Sequence, residues 1–309
     1  LYSNLPVKYQ IVASLVNFDY ILPSHDIVLS GNTRIVSNKE HNMLVWNTDD
    51  LTKGDYTIDS RAKDYPPNFW LEIDYEIEKG KVPSGCKEQI EHVSLEKVQN
   101  IIKILRLYKK GDFKYGIICW RPRMLCNPPY NKKFDLSYSD IYDTPNNYLV
   151  QKDDVKDLQL LFQKYINNLT NKYFPHSAVY YLDKGIKETD MNDRLVNYTA
   201  ALESLFVLDG KEGIATLLAN RTAFFLDKDG QKRKEISKDI KKAYGFRSNI
   251  VHGNYHKNYD KKKGDLALED YCNKTEGYVR MAIVKWIDMI GNGMKRQDIY
   301  DMIEENWFT

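Results

Sequence analysis

Cysteine is scarce: Cys86, Cys119, Cys126 and Cys272 are too few and too irregularly spaced for a disulfide framework or a paired zinc-ligand pattern. That usage predicts a reducing, cytoplasmic setting. No apolar run is long enough to span a bilayer, and no signal-peptide pattern occupies the first residues, so no membrane partner is expected. Proline is missing after Pro175. Proline breaks helix interiors, so its confinement to the earlier residues predicts a mixed N-terminal half and an all-helical C-terminal half. Internal repeats and low-complexity segments are also missing. The chain lacks G-x-x-x-x-G-K-[ST], H-E-x-x-H and G-x-S-x-G, which removes the local signatures of a phosphate loop, a zinc hydrolase and a serine hydrolase. No cofactor is expected.

What is present fits a globular protein of one large or two ordinary domains, since 42% of residues are hydrophobic and only 28% charged. The net charge of +2 hides an asymmetry. Residues 231–263 hold eleven Lys or Arg against three acids, a local +8 that leaves −6 for the remainder. A lysine-rich surface explains most such runs. An anionic partner, with nucleic acid first, explains one that surrounds an arginine on an apolar helix face.

The N-terminal half carries β-like runs at 8–18, 26–31, 68–77 and 114–121, rich in Val, Ile, Tyr and Trp and bounded by Gly, Pro or Asn. A helix over 94–111 interrupts them, with Ser94 read as its N-cap and Gly111 as its stop. Residues 127–147 read as an irregular connector. The C-terminal half predicts helices at 154–169, 176–208, 213–227, 231–252, 266–290 and 295–306, with Gly185 and the polar stretch 187–193 as places where the second could break. The expectation is an α+β protein: a β-rich α+β domain over 1–150, then an all-α helical bundle over 151–309.

In "YGFRSNIVHGN" (244–254), Ile236, Ile240, Ala243 and Tyr244 form a buried stripe at helical spacing, and Arg247 then Val251 continue it. A guanidinium on such a face is paired or used. His252 lies five residues on, about 140° away on a regular helix. Gly253 is a natural C′ residue, so a loosening last turn would let the two side chains converge. The plain reading is a histidine beside the terminal carbonyls. Glu203 in "YTAALESLF" is either a surface carboxylate or the counter-charge of Arg247 from a neighbouring helix. Arg221 reads as a rim arginine that snorkels. His252 and His256 are four apart, but Gly253 and Asn254 interrupt the helix between them, so no metal site is expected.

Three blocks, "DRLVNYTAALESLFV" (193–207), "LLANRTAFFL" (217–226) and "RKEISKDIKKAYGFRSNIVHGN" (233–254), together with "IIKILRLYKKGDFKYG" (101–116), resemble in order and spacing the ApeA-like branch of the HEPN superfamily. The resemblance covers the C-terminal half and one segment of the N-terminal half. It implies a HEPN-like helical domain, often a metal-independent RNA endonuclease that serves in bacterial defence against phages, where RNA cleavage arrests the infected cell. Arg247 and His252 match the two motif residues. Ser248 occupies the polar position after the arginine, and Glu203 matches the glutamate that can support the arginine from the facing helix.

That pairing suits the chemistry. Metal-free RNA cleavage needs a base for the 2′-hydroxyl, charge at the phosphoryl oxygens and an acid for the leaving 5′-oxygen. Histidine exchanges protons near neutrality, and arginine grips two phosphoryl oxygens without losing its charge. Since one histidine does not easily serve as both base and acid, a homodimer with two facing motifs is the expected assembly. Lys241, Lys242, Lys261, Lys262 and Lys263 are the candidate RNA-binding residues, and the N-terminal domain is a candidate sensor for a phage-derived or host trigger. A non-catalytic RNA- or nucleotide-binding module and a structural interaction protein are the other readings.

Overall fold

The computed structural model describes residues 7–16, 18–21, 26–37, 69–77, 86–111, 113–122, 132–134, 148–207, 213–253 and 261–305. The protein is a mixed α+β chain. It divides into two compact units, residues 1–163 and 164–309. Among the described residues no helix is long and apolar enough to cross a membrane.

The first unit is built on an antiparallel sheet of β1 (Val7–Val16), β3 (Ile27–Ser30), β4 (Thr33–Ser37), β5 (Phe69–Ile77), β6 (Lys114–Pro122) and β7 (Lys132–Phe134), in the order β3-β4-β5-β1-β6-β7. β1 runs down the centre, with Ile11 opposite Ile73 on one side and Trp120 on the other. β2 (Phe18–Ile21) pairs in parallel with β8 (Tyr148–Gln151). Both faces of the central strands are covered, since Ile11, Ala13 and Leu15 are buried and so are Val12, Val36 and Trp70.

Helix α1 runs from Cys86 to Tyr108, so it starts well before the expected cap. Ser94 is buried inside the helix and its hydroxyl has no hydrogen-bond partner, so it is not the N-cap. Gly111 has no positive φ. Its requirement is proximity: a β-carbon there would stand 2.9 Å from the Tyr148 backbone, where Tyr148 donates to the Leu105 carbonyl at 2.6 Å. The Thr33–Ser37 strand was not anticipated, and neither were Lys132–Phe134 and Tyr148–Gln151. The rest of the 127–147 connector lies outside the described residues.

From residue 154 onward the described residues form helices and no strand: α2 (Asp154–Asn168), α3 (His176–Lys187), α4 (Met191–Phe206), α5 (Ile214–Leu226), α6 (Gly230–Val251), α7 (Lys261–Gly291) and α8 (Arg296–Glu305). The unit boundary falls inside α2. The expected helix over 176–208 is two helices. Glu188 leaves α3 in an extended conformation, and Asp190 caps α4 by accepting from the N–H groups of Asn192 (2.7 Å) and Asp193 (3.3 Å). Gly185 does not interrupt α3. It makes room for a neighbour, since a β-carbon there would come within 2.5 Å of the Tyr198 ring.

The core of the second unit surrounds Trp286 of α7, whose indole N–H donates to the Tyr173 carbonyl at 3.1 Å. Phe206, Phe225 and Tyr300 pack around the indole with ring centroids 6.0–6.3 Å away. Arg221 is spent on this framework. It donates to the Phe206 carbonyl at 2.7 Å and to Glu304 at 2.9 Å.

Candidate functional site

Two helices place the sequence-predicted residues. Asp229 caps α6 by accepting from the Lys232 N–H at 2.9 Å, and Ile236, Ile240 and Ala243 bury one face of it. On α4, the buried Leu195, Tyr198, Leu202 and Phe206 turn Glu203 toward the edge of that core. α4 and α6 pack together. The Arg247 guanidinium meets the Glu203 carboxylate across them at 3.5 Å, with the two side chains 25% and 26% exposed. The arginine is therefore half-buried, not a core residue, and Val251 after it is exposed at 52%. The apolar stripe ends where Arg247 begins.

The pair is tense electrostatically. Glu203 Oε1 is shielded from solvent and accepts no hydrogen bond. Burial pushes the Glu203 carboxyl up from its ordinary range, and the Arg247 charge pulls it back only in part. Tyr244 completes the group: its ring lies 5.4 Å from the guanidinium carbon, within cation–π range. Its phenol is pushed up by burial first and by Glu203 second, against the pull of Arg247.

His252 makes no hydrogen bond to this group among the described residues and ends the helix. It caps α6 with φ −91° and ψ 7°, and its N–H donates to the Ser248 carbonyl at 3.0 Å. The helical ladder thus runs through His252, and the loosening expected at the last turn begins only at Gly253, with φ +66°. On a regular helix its position stands about 140° around from Arg247. Among the described residues no hydrogen bond or ion pair joins it to Arg247 or Glu203. Ser248 is half-buried beside Arg247.

Lys241 and Lys242 lie elsewhere again, on a cleft of about 1170 Å³ lined by α5, α6 and α7. Neither Arg247 nor His252 lines it. Sequence reasoning singled out those two lysines but missed Lys234 and Lys238, which stand four residues apart on the same helix face and line the same cleft. It also missed Phe246 and Tyr271, whose rings meet there at 5.6 Å. The signal was available in the i, i+4 series 234, 238, 242. Lys261, Lys262 and Lys263 open α7, and their side chains lie outside the described residues, as does His256.

Among the described residues no group of three or more His, Cys, Asp or Glu side chains gathers as a metal site would. Comparison of the chain with protein-family models, with curated proteins and with solved structures found no match.

Proposed function

We propose that this protein is a metal-independent RNA endonuclease of the HEPN type, acting in the bacterial cytoplasm against phages by arresting the infected cell. The observation that carries the reading is the Arg247–Glu203 contact at 3.5 Å, which joins two separate blocks of the sequence resemblance across α4 and α6. In this reading Arg247 neutralises the phosphoryl oxygens. Glu203 and the Tyr244 ring hold the guanidinium in place. His252 takes the proton of a ribose 2′-hydroxyl. The 2′-oxygen attacks phosphorus, the bond to the 5′-oxygen breaks, and a second imidazole protonates the leaving oxygen.

Five residues along a regular helix put the two positions about 140° apart, which favours a centre shared between two chains. The centre is completed in a homodimer, where the histidine of one copy serves the arginine of the other. The N-terminal unit, built on its own sheet, senses a phage-derived or host trigger.

A second reading has its own support. The lysine-lined cleft excludes Arg247 and His252, which suits a non-catalytic RNA- or nucleotide-binding module. Mixed RNA incubated with the protein in excess EDTA separates the two. The proposal expects cleavage that disappears in both Arg247→Ala and His252→Ala. Losing the proton-transfer group costs roughly 10²–10⁴-fold in rate. Binding without cleavage selects the module.

A further inference from the structure

The cleft between α5, α6 and α7 has a composition that the Arg247 site does not explain. Lys234, Lys238 and Lys242 stand in a row along α6, exposed, with no ion-pair partner among the described residues. Four-residue spacing on a helix places them on one side, about one turn apart. Half-buried rings line the same cleft: Phe246, the next position of that row on α6, meets Tyr271 of α7 at 5.6 Å, and Phe224 of α5 lies beneath the Arg233 guanidinium at 4.4 Å. A row of cations beside aromatic faces is what recognises a polymer that is both phosphate and π-surface.

Gly245 belongs to the same lining. It sits inside α6 and lines the cleft, and a β-carbon there would meet nothing within 4 Å. A glycine in a helix interior costs about 1 kcal/mol relative to alanine, and here no neighbour requires it. Such a position leaves the helix backbone open to a ligand. The lining also comes near the motif histidine in sequence. Asn249 belongs to it, and His252 follows three residues later, a neighbouring position on the helix surface. Arg247, two residues from Gly245, lies about 200° around and faces away.

We propose that this cleft is a track for single-stranded RNA that leads along α6 to His252, with phosphates on Lys234, Lys238 and Lys242 and bases on Phe246 and Tyr271. The inference rests on the ribonuclease reading for its endpoint. Its ligand chemistry rests on the cleft alone.

The test is fluorescence anisotropy of a labelled 12-nucleotide single-stranded RNA in EDTA, on the His252→Ala background so that the probe stays whole. Gly245→Leu fills open space and removes a helix-interior glycine, so its melting temperature is kept or raised, and its affinity falls about tenfold or more. Replacing Lys234, Lys238 and Lys242 together by Gln removes three phosphate contacts. It makes the slope of log K against log salt about 2 shallower. A duplex of the same sequence binds more weakly than the single strand, because its bases are not free to stack.

Unchanged affinity in folded Gly245→Leu, an unchanged salt slope, or equal binding of duplex overturns the track. Failure of the wild-type chain to cleave, with these binding losses intact, defeats the ribonuclease reading and leaves the track standing. Cleavage intact with binding unaltered in the variants defeats the track alone.

Discussion

Replacing Glu203 by Gln separates what the carboxylate does for the fold from what it does for Arg247. The two side chains are about a quarter exposed and meet at 3.5 Å without a hydrogen bond to Oε1. An ion pair of that kind contributes about 0–1 kcal/mol. Against it stands the burial of the carboxylate, which is the larger influence and leaves its pKa raised. The sign follows by linkage. A group whose pKa is higher folded than unfolded contributes stability that is full below the unfolded value and is lost as pH rises through the folded one. At neutral pH the charged Glu203 is therefore a small net cost. Glu203→Gln is expected to melt within about 4 °C of the parent at pH 7, unchanged or higher, the span that 1 kcal/mol covers in a unit of this size. Toward the acid side of the glutamate range the variant loses ground relative to the parent. Cleavage falls at neutral pH all the same, because the guanidinium loses its counter-charge. Thermal melts from pH 4 to 8 with parallel rate measurements decide it. A variant markedly less stable at pH 7 that converges with the parent in acid would mean the ion pair dominates burial, and would refute this ordering.

Two glycines give independent checks. Gly185→Ala puts a methyl group within 2.5 Å of the Tyr198 ring, so a loss of about 1–3 kcal/mol from overpacking is expected in denaturant unfolding. A gain in stability would show that the ring yields freely. Gly253→Ala meets open space but keeps φ near +66°, so it costs about 1–2 kcal/mol through the backbone alone. Gly253→Asn should cost less, and equal losses would argue against a left-handed requirement.

The strands and helices that carry strong local patterns were legible in the sequence. β1, β5 and β6 were found from their β-branched and aromatic runs, and the helical half from the end of proline usage at Pro175. Thr33–Ser37 was missed because the run at 26–31 ends at Gly31, and the five residues that follow the tight turn are too short and polar at both ends to stand out. The α1 start was misplaced because Ser94 has the chemistry of a cap, while its burial by tertiary packing has no local signature. The break between α3 and α4 was visible at 187–193, where Asp190 caps, but Gly185 was the wrong suspect.

At the site, the pairing of Arg247 with Glu203 could be anticipated from the cost of an unpaired guanidinium. That Arg247 is a quarter exposed could not, because the stripe continued to Val251 in the sequence and stopped before it in three dimensions. The loosening expected before His252 does not occur, for a local reason. Gly253 ends the helix, but the ladder bond to Ser248 holds His252 in register up to that point. The cleft was hidden for the opposite reason, since its lining comes from three helices and only the α6 lysines share a spacing.

The most direct measurement is end-group mapping by mass spectrometry of RNA cut by the purified protein in excess EDTA, with a matched substrate carrying one 2′-deoxyribose at the cut site. The account predicts a 5′-hydroxyl on one fragment and a 2′,3′-cyclic phosphate, or its opened form, on the other. Cutting should be lost at the deoxy position alone and lost everywhere in His252→Ala. Fragments with a 5′-phosphate and a 3′-hydroxyl, or equal cutting of DNA, would contradict it.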